Sequence, residues 1–60
     1  MTTELAKQAI DKAFCGGLQE AFEVLVGHVE DGTVEEGKAR FRQAFNDLSE
    51  AHTVAMEVLQ

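Results

Sequence analysis

The chain has 60 residues, no proline, tryptophan or tyrosine, four phenylalanines, one cysteine and a formal charge of −6. That length allows one domain, 1–60, which buries only about 60% of the surface of its unfolded form and therefore needs a staple: disulfides, a metal or a second copy of itself. The lone Cys15 excludes an internal disulfide, no apolar run approaches the roughly 18 residues of a membrane span, and no basic segment precedes an apolar one as in a secretory leader.

The first half reads as helix from residue 3 to about 30. Nothing in it is forced out of helix by a proline ring. Ala6, Ala9, Ile10, Ala13 and Phe14 form one apolar stripe. Leu18, Ala21, Phe22, Leu25 and Val29 form another, turned roughly 100° from the first at 100° per residue. Between the stripes stand Gly16 and Gly17, each costing about 1 kcal/mol in a helix interior. One long helix bent at the glycines and two short helices both fit this pattern. No Ser, Thr, Asp or Asn stands at 15–18 to cap a new helix, which favours the bent one. The glycines are read as a hinge or a point of close backbone approach. The series Ala9, Ala13, Gly17, Ala21, small side chains spaced by four, is a candidate close-contact ridge.

The turn is the most specific local signal. Gly32 suits the left-handed conformation that ends a helix. Thr33 followed by Glu36 matches the S/T-x-x-E capping box that opens the next helix. Asp31, Gly32 and Thr33 thus form a tight connection near the midpoint, which makes the flanking helices antiparallel.

The second half, roughly 34–59, is a clean amphipathic helix. Its apolar face carries Val34, Phe41, Ala44, Phe45, Leu48, Ala51, Ala55, Val58 and Leu59, in steps of three and four. The column Gly37, Ala44, Ala51, Val58 is mostly small and permits close helix approach. The opposite face carries Glu36, Arg40, Gln43, Asp47, Glu50 and Glu57, and Glu36 stands one turn before Arg40 as an ion pair. The predicted fold is an all-α antiparallel hairpin. Its apolar faces are wide enough for a bundle core, so a homodimer forming a four-helix bundle is expected. The expected core and dimer residues are Ile10, Ala13, Phe14, Leu18, Ala21, Phe22, Leu25, Phe41, Ala44, Phe45, Leu48, Ala51, His52, Ala55 and Leu59.

Few residues suggest chemistry. His52 falls within the apolar face and reads as a boundary histidine with satisfied nitrogens, the alternative being a switch near neutral pH. His28, beside the turn, is read as a donor to the last helix carbonyls. No Glu-x-x-His pair exists, since Ser49 and Leu25 occupy the positions three before the histidines. In a hairpin turning at 31–32, His28 lies level with about Glu35 and His52 with about Asp11, too far apart for one metal site. Cys15 lacks a histidine base and an electropositive setting, and reads as a half-buried packing residue. Gly16-Gly17 lacks the Lys-Ser/Thr of a phosphate loop. No catalytic residue, cofactor or metal is expected.

The acids are scattered, as on a solvated helix face, and the net charge disfavours nucleic acid as a partner. Lys38, Arg40 and Arg42 are the only basic cluster. Arg40 and Arg42 point apart on a helix, and Phe41 and Phe45 are expected to face the core. The chain reads as a soluble, unprocessed, cytoplasmic protein without enzymatic activity. Its expected role is regulatory, through contacts with itself and another protein. An acidic mimic of nucleic acid, inhibiting a DNA- or RNA-binding protein, is a second reading. A third follows from architecture alone: Rop-type dimers share the inferred fold and bind RNA, although no motif here matches theirs.

Overall fold

The computed structural model describes residues 2–60. Two α-helices, α1 (Thr3–Asp31) and α2 (Val34–Val58), pack against each other as an antiparallel hairpin of 45 × 15 × 8 Å. Thr2 begins α1 in the way a cap should. Its extended backbone, at φ −77° and ψ 158°, lets Oγ1 accept from the Leu5 amide at 3.2 Å.

α1 runs unbroken through Gly16 and Gly17, so the two-helix alternative is excluded. The two apolar stripes are reconciled by a single seam. It takes the inner members of both: Ala6, Ile10 and Phe14 from the first, then Leu18, Ala21 and Leu25 from the second, all half-buried. The outer members, Ala9, Ala13, Phe22 and Val29, stay exposed. The small-residue ridge is therefore only half used: Gly17 and Ala21 lie on the seam, Ala9 and Ala13 do not. Gly17 is a point of close approach, because a Cβ there would sit 2.5 Å from a Leu48 methyl. Gly16 faces open space.

The turn is a Schellman motif. Gly32 adopts φ +77°, the left-handed region that only glycine enters freely. The Thr33 amide donates to the His28 carbonyl at 2.9 Å and the Gly32 amide to that of Val29 at 3.3 Å. The capping box does not form. Thr33 is the residue before α2, but with ψ 48° its hydroxyl makes no cap hydrogen bond. It turns back instead onto His28, donating to the carbonyl at 3.3 Å and lying 2.8 Å from Nδ1. The ring of His28 thus holds the turn through the Thr33 hydroxyl, rather than by reaching a carbonyl itself. Since that hydroxyl proton goes to the carbonyl, Nδ1–H is the donor of the ring contact. Directly across, Gly37 packs on the His28 side chain, where a Cβ would lie 2.6 Å from the His28 Cβ. Gly37 is the one buried residue among those described.

On α2 the half-buried positions are Phe41, Ala44, Leu48, Ser49, His52, Ala55 and Met56, followed by Leu59 at the C-cap. Ala51 and Val58, expected on the packing face, are exposed, as are Val34 and Phe45. The expected Glu36–Arg40 pair forms at 3.0 Å, and Lys38 pairs with Glu35 at 3.2 Å. Both pairs are solvent-exposed and contribute at most a few tenths of a kcal/mol.

No hydrophobic side chain among the described residues is buried. Two helices share only one line of contact, and a line cannot cover a stripe more than 100° wide.

Candidate functional site

Exposed apolar side chains flank the helix–helix seam on both sides and line two different grooves. The first groove encloses about 590 Å³ and is lined by Cys15, Leu18, Gln19, Phe22, Phe41 and Phe45. It continues toward the turn into a hollow formed by Leu25, Lys38, Phe41, Arg42 and Phe45. Its character follows from register. Cys15, Leu18 and Phe22 recur at steps of three and four on α1, as Phe41 and Phe45 do on α2, so their side chains converge on one side of the hairpin. Phe22 is 57% exposed and Phe45 44%. The sequence-based expectation that both α2 aromatics face inward is corrected here. Phe41 is half-buried, whereas Phe45 stands on the outer edge of the seam with Lys38 and Arg42 beside it.

The second groove is lined by Gly17, Glu20, Ala21, Val24, Ala44, Asp47 and Leu48. Toward the chain ends, Ile10, Ala13, Phe14, Leu48, Ala51, His52 and Ala55 surround a smaller hollow of about 230 Å³. Ala13 and Ala51 leave space beside the seam there and do not draw the helices together. The two grooves differ in chemistry: the main part of the first has no charged residue in its wall and gains the cations Lys38 and Arg42 only toward the turn, whereas the second has the carboxylates of Glu20 and Asp47.

Near the open end of the hairpin His52 ties the helices together. Its Nε2 donates to Asp11 Oδ1 at 2.7 Å, and its ring meets Phe14 edge-on with centroids 5.3 Å apart. A carboxylate only accepts, so Nε2 carries the proton. The level assigned to His52 from sequence, beside Asp11, is the observed one. His28 sits across from Gly37, two residues beyond Glu35. Cys15 is exposed rather than half-buried, with its thiol free. Arg40 lines neither part of the first groove, consistent with its divergence from Arg42. No group of three or more metal-ligating side chains occurs among the described residues, and no helix is long and apolar enough to cross a membrane.

Sequence reasoning placed Leu18, Phe22, Phe41 and Phe45 among the packing residues but did not separate those spent on the hairpin from those left outside it. The available signal was the sum of facing positions. Pairs such as Asp11–His52 and Gly17–Leu48 fix the register, and with the seam defined, Phe22 and Phe45 fall to one side of it. No protein-family model, curated protein or solved structure matches the chain.

Proposed function

We propose that this chain is a small non-enzymatic interaction protein that works as a homodimer and regulates another protein by contact. One observation carries the reading: a folded hairpin with no buried hydrophobic side chain among the described residues and with Phe22, Val24, Val29 and Val54 all at least half exposed. Apolar surface of that extent marks an association site. The area supports the same conclusion. The hairpin exposes 4581 Å². A compact monomer of 6.6 kDa exposes about 3,900 Å² on the usual scaling of surface with mass. The excess, about 700 Å², is close to the roughly 800 Å² that each partner contributes to a stable interface.

Dimerisation uses the apolar side and leaves the acidic exterior in water. Two chains of charge −6 present a surface that attracts basic partner surfaces and repels phosphate. The RNA-binding reading has one observation in its favour, Lys38 and Arg42 beside Phe41 and Phe45; in the proposed dimer those aromatics are occupied. Capture on the immobilised chain, from a lysate of the source cells with and without nuclease, tests the role. Proteins retained after nuclease treatment are the expected outcome. Retained RNA, or proteins lost with the RNA, would reassign the chain to the RNA-binding class. A captured DNA- or RNA-binding protein that free nucleic acid displaces would favour the mimic.

A further inference from the structure

The two grooves are not equivalent candidates for the dimer interface, and the difference also fixes how the copies are oriented. We infer that two hairpins associate antiparallel through the groove of Leu18, Phe22, Phe41 and Phe45, with Lys38 and Arg42 of each chain facing the Asp11 end of the other. This inference rests on the homodimer proposed above and adds its face and direction.

The face follows from desolvation. Closing the second groove draws the carboxylates of Glu20 and Asp47 out of water, and a carboxylate buried without a cationic partner is strongly unfavourable. Closing the first removes the exposed Phe22 and Phe45 from water at a centre without charge, the cations Lys38 and Arg42 standing only at its turn end. Large aromatics at an uncharged centre are the usual composition of an interface core.

The direction follows from the ends of that face. Toward the turn it carries Lys38 and Arg42, beside Leu25. Arg42 makes no ion pair among the described residues. Toward the open end the same face carries Asp11, one heptad before Leu18, with its side chain 63% exposed. Leu18 stands seven residues from Asp11 and seven from Leu25. A two-fold axis through the aromatic groove at Leu18, perpendicular to the helices, therefore brings the Lys38 level of one chain to the Asp11 level of the other, with Arg42 one turn nearer the axis. A parallel arrangement places Lys38 and Arg42 of both chains together, which like-charge repulsion opposes.

Sedimentation equilibrium of Phe22→Glu and Val24→Glu, one on each groove, tests the face. Phe22→Glu is expected to weaken the dimer by about a hundredfold or more, because it buries an unpaired charge; Val24→Glu is expected to leave it within a few-fold of wild type. A dimer that survives Phe22→Glu and is lost with Val24→Glu overturns the face while sparing the homodimer. A folded wild-type monomer overturns both. Direction is read without perturbing the interface aromatics, from a spin label at Glu30→Cys in a Cys15→Ser chain. The antiparallel dimer predicts a label separation of about 35–45 Å, from twelve residues of helix rise on either side of the axis. A separation of about two helix diameters, roughly 20–24 Å, means the turns lie together and overturns the antiparallel arrangement.

Discussion

Gly16 and Gly17 are neighbours with opposite surroundings, and their difference shows what a glycine does in this hairpin. A methyl group at Gly16 meets nothing within 4 Å, while at Gly37 it meets the Cβ of His28 at 2.6 Å. Gly16→Ala should therefore stabilise the fold by about 0.5–1 kcal/mol, the ordinary helix-interior gain. Gly37→Ala should cost about 1–3 kcal/mol, since an atom bonded directly to the backbone cannot swing aside. Gly17 falls between them: the neighbouring atom is a Leu48 methyl, which a change of rotamer can move. Paired urea melts check the order Gly16→Ala above wild type above Gly37→Ala; a stabilised Gly37→Ala would show that the helices do not approach there. The double glycine was visible in the sequence as a discontinuity, but its two members were not distinguishable. That distinction depends on which side of α1 faces Leu48, which no local pattern contains.

At the scale of elements, both helix spans and the turn follow from residues that act locally. Thr2 caps, Gly32 reverses the chain, and steps of three and four carry the apolar stripes. The capping box failed because it competed with a contact across the turn. The Thr33 hydroxyl is held by His28, and a hydroxyl engaged backward does not reach forward to Glu36. Thr33→Val keeps the shape and removes both hydrogen bonds, so it should destabilise the hairpin by about 0.5–1.5 kcal/mol. His28→Ala removes the ring contact too. The double variant should lose less than the sum of the two single losses, because each single change already breaks the shared bond. Additive losses in a thermal-melt cycle would mean the two side chains act independently. The two α1 stripes did not break the helix, which was the alternative to one continuous helix, for a different reason. A seam needs only the inner residues of each stripe, and the outer ones, Phe22 and Val29, remained outside the hairpin.

Those outer residues belong to the molecule as a whole, and here the structure sharpens what the sequence implied. Sixty residues without a disulfide were expected to need a second copy. The hairpin leaves every hydrophobic side chain among the described residues at least partly exposed and offers a second copy one aromatic groove, that of Leu18, Phe22, Phe41 and Phe45. The width of the apolar faces was legible in sequence. Which residues face outward was not, because it depends on the register between α1 and α2. If folding and association are linked, the melting temperature rises with protein concentration, by several degrees over a hundredfold range; the same midpoint at every concentration would describe an independent hairpin. The most direct measurement is sedimentation equilibrium of the unmodified chain at micromolar concentration. A mass twice the 6.6 kDa of the chain is the predicted result, and a helical, cooperatively folded species of single-chain mass is the result that contradicts the account.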